Sequence, residues 1–344
     1  DGEFRAHRWS GSTSLLNQRV CKVVPRSGDA ADREFLRAAL VAPLRELEHS
    51  KSGTTVKHLN KSDLDRVRVR WPAKPHRCAI AHILGTLDDK IALNRRMSAT
   101  LEELARALFK AWFVDFEPVR AKMAGRPSAS APGQLGEQFP ARLVESELGE
   151  VPEGWRVDSL DRIARFLNGL ALQKYPPQGD RSLPVIKIAQ LRAGSTDGAD
   201  SASADLDADY VVQDGDVLFS WSGSLECVLW AAGPGALNQH LFKVTSTKHP
   251  KWLYYFWIHH HLEDFRGIAS GKATTMGHIQ RRHLTEAKVV LPTSRVIQKL
   301  GESISPLLEE SWRLRVECRT LAEARDALLP RLVSGALRAG EAGR

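Results

Sequence analysis

Long apolar runs are missing. No stretch of 18 or more apolar residues occurs, so nothing in the 344 residues reads as a membrane-spanning helix. Cysteine is scarce. Cys21, Cys78, Cys227 and Cys318 are scattered singly and none belongs to a CxxC pair. That argues against a zinc ribbon or a dense disulfide framework and fits a reducing, cytoplasmic compartment. The first residue is Asp1 and no basic start with an apolar segment follows, so the beginning reads as a cut through a longer protein. What is present is globular: 42% hydrophobic and 26% charged residues. At ~100–200 residues per domain, the length suggests about two domains. Lys+Arg number 49 and Asp+Glu 41, a formal charge of +8. This mild basic excess raises the expectation of a nucleic-acid partner without requiring one.

Catalytic signatures are also missing. Gly267 to Ala273 resembles a phosphate-binding P-loop, but it is one residue short and Ala273 stands where a Ser or Thr would hold Mg²⁺. No GxGxxG follows a strand and no GxSxG occurs. His259, His260 and His261 are consecutive, and adjacent helical side chains diverge too far to converge on one ion. They read as a surface or half-buried cluster, not a metal site. Acidic pairs such as Asp88-Asp89 and Glu309-Glu310 read as solvated helix flanks.

The most informative feature is an internal repeat. Leu16-Asn17-Gln18 followed by Lys22-Val23 recurs as Leu237-Asn238-Gln239 followed by Lys243-Val244. Thr54-Thr55 with His58-Leu59 recurs as Thr274-Thr275 with His278-Ile279. Leu64, Pro72, Thr100-Leu101 and Leu108 match Leu284, Pro292, Thr320-Leu321 and Leu328. The offset stays near 220, too long for a solenoid. It reads as two copies of a module with a globular part and a long helix. The second copy is nearly whole and the first keeps only its last part.

Residues 76–113 contain no Pro, and alternating steps of four and three pick out Ile80, Leu84, Leu87, Ile91, Asn94, Ser98, Leu101, Ala105, Leu108 and Trp112. That is a heptad seam, polar at Asn94 and Ser98, which could set the register of a helix pair. The equivalent seam runs Leu300, Ile304, Leu307, Ser311, Leu314, Cys318, Leu321, Arg325, Leu328 and Leu332. Each helix should span roughly 35 residues, about 50 Å. Either the two helices pair with each other, as the matched seams favour, or each packs on its own domain. Residues 118–149, with the small and Pro-rich run from Gly125 to Gly133, read as a mobile or extended linker.

The fold class expected is therefore α+β. It combines mixed α/β target-recognition domains with two long helices in an antiparallel coiled coil. The boundaries read as 1–75 for a remnant first domain, 76–117 for the first helix, 118–149 for the linker, 150–294 for the second domain and 295–338 for the second helix. Within that domain, Leu183–Leu191 and Asp216–Trp221 read as short strands, Arg192–Asp209 as a surface loop, Lys251–Phe265 as a helix and Lys288–Leu291 as a last strand.

Binding chemistry is better represented than catalysis. Lys51, Thr54, Thr55 and Lys57 in one copy, and Lys272, Thr274 and Thr275 in the other, lie in small, Gly-bearing, hydroxyl-rich loops. Such loops can approach phosphate oxygens, or can simply be turns. Lys187, Gln190 and Arg192 lie at a strand end, where Gln and Arg could reach base edges or could be solvated. Ser222, Ser224, Gln239 and His240 read as bracketing a hairpin, where they could reach bases or satisfy turn backbone; Asn238 reads as structural.

At these residues the chain resembles the DNA specificity subunits of type I restriction-modification systems. The phrase Leu148 to Trp155 resembles the opening of that family's target-recognition domains. Trp221-Ser222-Gly223-Ser224, Leu237-Asn238-Gln239, the Gly271–Ile279 loop and the long helix follow in order. In the first copy, Ser52–Leu59, Ile83–Asn94 and Phe113–Pro118 look like the same family's loop, central helix and helix exit. The resemblance implies two recognition domains on an antiparallel helix pair, each reading half of a split double-stranded DNA target. It implies methyltransferase subunits docked on the helices and a motor-nuclease subunit completing the complex. The specificity subunit itself would be non-catalytic and free of cofactors, with S-adenosylmethionine, ATP and Mg²⁺ on its partners. The first recognition domain departs from the pattern in being short, as an N-terminally truncated chain would be. Two other readings stay open: a stand-alone DNA-binding regulator built from the same modules, and a nuclease with an atypical site around His259 or His260.

Overall fold

The computed structural model describes residues 4–9, 11–51, 58–179, 181–271 and 277–337. They divide into two compact units, one made of residues 1–94 and 317–344 and the other of residues 95–316. Two long helices, Lys74–Phe113 and Ser294–Ser334, contribute to both. At 40 and 41 residues they exceed the length expected from the sequence.

Every seam position is buried or half-buried, so the heptad reading holds along both helices. In the first unit Asp88 meets Arg325 at 2.8 Å, and the Cys318 thiol lies 3.5 Å from the Ile91 carbonyl. Residue numbers rise along one helix as they fall along the other, so the pairing is antiparallel. Asp88 differs from the solvated flank expected: its side chain is 19% exposed and pairs with both Arg325 and Arg37. In the second unit Ser98 Oγ donates to the Ser311 carbonyl at 2.8 Å and lies 3.1 Å from its hydroxyl. A small polar contact at this position lets the backbones approach closely.

The first unit adds three helices, Ala30–Ala39, Val41–Ser50 and Lys61–Arg66. Asp29 caps the first by accepting from the Ala31 amide. Its core is small: Phe35, Ala38 and Ala39 against Ile80, Ala81, Leu84, Leu329 and Leu332. Arg77 grips Asp32 at 2.7 Å and stacks over Trp71, and together with Ser27 it holds the Asp32 carboxyl below the usual range. Residues 11–29 contain no helix or strand, and Leu15, Leu16, Val20, Val23 and Val24 are exposed.

The second unit carries the strands. β1 (Leu143–Ser146) pairs with β2 (Gly149–Pro152) as a hairpin. β3 (Arg156–Ser159) pairs antiparallel with β12 (Lys288–Leu291), the last strand expected from the sequence. One four-stranded sheet contains β4 (Arg165–Asn168), β8 (Val217–Ser220), β9 (Cys227–Leu229) and β11 (Leu241–Thr245), in the order β4-β11-β8-β9. Another contains β5 (Ser182–Ile186), β6 (Ser201–Ser203), β7 (Val211–Val212) and β10 (Gly235–Leu237), in the order β6-β5-β10-β7.

Helix Lys251–Ser270 is buried on all sides from Trp252 to Ile258. A helix needs a partner on every face to be so apolar. Phe256 and Trp257 pack on Phe109 of the first long helix, while Phe265 packs on Phe219 of β8. Tyr255 donates to Glu102 at 2.7 Å, Trp312 donates to the Trp230 carbonyl, and Lys251 donates to the Gly215 carbonyl. Apolar packing and these bonds fasten the sheets to the helices.

Three details differ from the sequence reading. The stretch 118–149 is built, not tethered. Glu117–Met123 is a helix, and Pro118, Val119, Ala121, Ala131 and Phe139 are buried. Phe116 adopts the left-handed conformation at φ 53° where the chain leaves the long helix. Glu117 then accepts from Ser128 Oγ and, at 2.8 Å, from Ser130 Oγ; Trp112 Nε1 donates to Ser130. Second, β5 ends at Ile186 and Ile188–Ala193 is a short helix, so Gln190 and Arg192 are helical. The Gln190 side chain accepts from the Lys187 amide at 3.3 Å and turns the strand into the helix. Third, the expected loop 192–209 contains β6, whose Ala202 is fully buried against β5.

Candidate nucleic-acid interface

Strand direction decides which loops meet. β4 and β8 both run antiparallel to β11, with Asn168 opposite Phe242 and Ser220 opposite Leu241. The end of β4, the end of β8 and the start of β11 therefore share one edge of the sheet. β5 runs parallel to β10, with Ile186 opposite Leu237, so Lys187 emerges beside Asn238. The Asn238 amide donates to the Ile186 carbonyl at 3.3 Å. Close approach here needs Gly169: a Cβ would lie 2.3 Å from the Asn238 carbonyl oxygen.

At this edge Trp221 Nε1 donates to Asn168 Oδ1 at 2.9 Å and to the Gln239 carbonyl at 3.1 Å. Ser222 Oγ lies 3.0 Å from His240 Nδ1, and the Gln239 carboxamide lies 3.4 Å from His240 Nε2. Asn238 is buried and its side chain accepts from the His240 amide, the structural role expected of it. The segment Gly277–Ile279 closes the group. Ser222 bridges His278, the Gly223 amide donates to Gly277, and the Ile279 amide donates to Trp221. Gly277 is obligatory, since a Cβ would meet the Ala269 carbonyl at 2.3 Å.

Of the residues singled out from sequence, Ser222, Gln239 and His240 come together. Ser224 is exposed on the same turn, its carbonyl accepting from Ser220 Oγ. Lys187 is exposed nearby, ion-paired with Asp200, and Arg192 is exposed on its short helix. Lys51 belongs to the first unit and is engaged with Asp63 at 2.5 Å and the His58 carbonyl. Lys272, Thr274, Thr275, Thr54, Thr55 and Lys57 lie outside the described residues. Asn168, Trp221 and His278 join the cluster although they were not singled out as contacts. Asn168 carries no local signal, because only the antiparallel pairing of β4 brings it there.

Asn, Gln and His side chains on one surface are the chemistry that reads hydrogen-bonding base edges; Ser222 itself is buried. The Ser222–His240 contact also has the form of a nucleophile and base. However, the other His240 nitrogen faces a carboxamide, not the carboxylate that orients a catalytic imidazole. The strongly perturbed groups lie elsewhere, under the sheet. Burial holds His259 neutral, its pKa brought down to about 3, and lowers His260 and His261. Burial also raises the Tyr255 hydroxyl and the Cys227 thiol. No group of three or more His, Cys, Asp or Glu among the described residues is arranged to hold a metal ion. No helix among them is long and apolar enough to cross a membrane.

Residues 2–103 match the family described as the type I restriction modification DNA specificity domain. The chain is 24% identical to the type I restriction enzyme MjaIX specificity subunit of Methanocaldococcus jannaschii, covering 94% of this chain and 73% of that protein. It is 25% identical to the HindI specificity subunit of Haemophilus influenzae, covering 88% and 77%. The crystal structure of a type I restriction-modification S subunit from M. genitalium aligns over 88% of this chain and 72% of its own, at 15% identity and a TM-score of 0.48. Over most of its length the chain is similar to specificity subunits of type I restriction-modification systems.

Proposed function

We propose that this chain selects the DNA sequence on which a type I restriction-modification complex acts. The observation that carries the reading is the meeting of Asn168, Trp221, Ser222, Gln239, His240 and His278 at one sheet edge. Carboxamide and imidazole groups there would contact major-groove base edges, each good bidentate pair giving about 1–3 kcal/mol of discrimination. Residues 150–294 would read one half of a bipartite target, and the first copy, with its Lys51–Lys57 loop, would serve the other half. Lys187, Arg192 and Ser224 would flank the reading surface; Lys272, Thr274 and Thr275, outside the described residues, stay candidates for phosphate contact.

Methyltransferase subunits would dock on the long helices, bringing S-adenosylmethionine; a motor-nuclease subunit with ATP and Mg²⁺ would complete the assembly. Met97 and Leu104, seven residues apart on one helix face, are each more than two-fifths exposed and offer apolar area to such a partner. Asn94 is fully buried with neither amide atom paired among the described residues, and with Ser98 it would fix the register of the helix pair at some cost in stability. Asn94→Leu should raise stability while loosening assembly with methyltransferase subunits; unchanged assembly would remove that role.

The decisive experiment is co-expression with the methyltransferase subunits, followed by mapping of methylated bases. Gln239→Ala should relax one position of a bipartite motif. An unchanged motif, or tight specific binding by the chain without partners, would overturn the reading, the latter in favour of a free-standing regulator.

A further inference from the structure

An open groove of about 530 Å³ lies along β4, with Arg165, Arg281, Arg282, Asp161, Phe166 and Thr285 in its wall. None of its arginines has a part in the cluster itself. Arg281 is held in place: its guanidinium sits 5.7 Å over the Phe242 ring and donates to the Phe166 carbonyl at 3.3 Å. A planar guanidinium fixed on one edge keeps its other N–H groups aimed outward, a geometry suited to phosphate. Arg282 is exposed next to it. Arg165 is exposed and pairs with Asp209 at 3.0 Å. Exposed pairs of this kind hold together by little, so the guanidinium can pass to a stronger anion.

The one carboxylate lining the groove is already occupied. Asp161 accepts from Ser159 Oγ and from Thr285 Oγ1, each at 2.6 Å, and those bonds keep its carboxyl ionised below the usual range. It therefore does not neutralise the arginines by pairing with them.

The placement fits a nucleic-acid backbone. Arg165 lies three residues before Asn168 on β4, about 10 Å at the rise of a strand. Arg281 follows His278 by three residues. With phosphates ~3.4 Å apart in axial rise along one strand, that offset is about three base steps. We propose that Arg165, Arg281 and Arg282 bind the DNA backbone phosphates flanking the bases read by the Trp221–His240 cluster. The groove supplies sequence-independent affinity and seats the duplex; the cluster supplies the word. This inference rests on the DNA-reading function proposed above.

The test uses the chain assembled with its methyltransferase subunits, and measures binding to its target duplex and to a scrambled duplex between 50 and 200 mM salt. In Arg165→Ala with Arg282→Ala, the slope of log affinity against log salt should fall by about 0.9 for each phosphate no longer neutralised, on both duplexes. The methylated motif should stay the same, and Lys at both positions should recover most of the slope. Arg281 is left intact because its stacking on Phe242 also supports the sheet. An unchanged salt slope, or a changed motif, overturns the inference while leaving the reading function standing. A complex that binds neither duplex overturns both.

Discussion

The two copies of the repeat make different structures from related sequence. In the second copy Leu241–Thr245 is a central strand between β4 and β8. Its counterpart, Val20–Val24, forms no strand, and Val20, Val23 and Val24 are exposed. Among the described residues no strand pairs with Val20–Val24 as β4 and β8 pair with β11. The same holds for β12: its counterpart, residues 68–71, lacks an equivalent of β3 and is not a strand. The helices, by contrast, recur. Arg281–Glu286 corresponds to Lys61–Arg66, and Ser294–Ser334 to Lys74–Phe113. A helix closes its hydrogen bonds within itself, whereas a strand borrows them from a neighbour.

The third correspondence is a half-agreement. Helix Lys251–Ser270 is continuous, while its counterpart is split at Leu40 into Ala30–Ala39 and Val41–Ser50. Pro43 explains the split. Its ring lacks an N–H and crowds the carbonyl of residue 39. The matching position in the second copy is Asp264, which a helix tolerates.

The strand difference should show most strongly in amide hydrogen exchange. Amides of Cys21–Val24 should exchange near the unprotected rate, and those of Leu241–Thr245 should approach global protection, a gap of several kcal/mol. Equal protection would mean that the first copy finds strand partners after all. Next in size is core truncation. Phe256→Ala should cost about 3–5 kcal/mol in denaturant melts. Phe35→Ala, its counterpart in the smaller cluster, should fall at or below the low end of that range. A reversed order would contradict the difference in core size.

The helix break can be exchanged between copies. Asp264→Pro should cost about 3 kcal/mol and lower helicity by circular dichroism; Pro43→Ala should raise helicity with a stability change under ~1 kcal/mol. Acid sensitivity carried by a buried imidazole should belong to the second copy, since Ala38 stands at the position of His259 at the repeat offset. The folded pKa of His259 lies near 3, below its ordinary 6.5, so the unfolded chain binds the extra proton first. Its contribution is full above pH 6.5 and falls by up to ~1.4 kcal/mol per pH unit as pH drops toward 3. His259→Gln should flatten that part of the stability profile, and an unaltered profile would assign the loss to other groups.

Sequence reading recovered what is periodic or repeated. The two seams, the helix beginning at Lys251 and the strand Lys288–Leu291 were all legible, because each is written in local spacing. It missed what depends on distant partners. Asn168 enters the reading cluster only through the register of β4 on β11. Gln190 looked like a strand-end contact, but its side chain is spent capping the following helix. Asp88 looked like a solvated charge because neither Arg325 nor Arg37 is near it in sequence. Arg281 and Arg282 carry no signal in the sequence, since a groove is not a motif.

By composition, Gly125 to Gly133 is the kind of segment that proteases nick first. Yet Glu117 gathers Ser128, Ser130 and Arg126, and Trp112 clamps Ser130 from the other side. A protease must draw out several residues as an open strand, and here that means breaking the whole bracket. Limited digestion of the folded chain should therefore leave this bend intact, and Glu117→Ala should make it the first place cut.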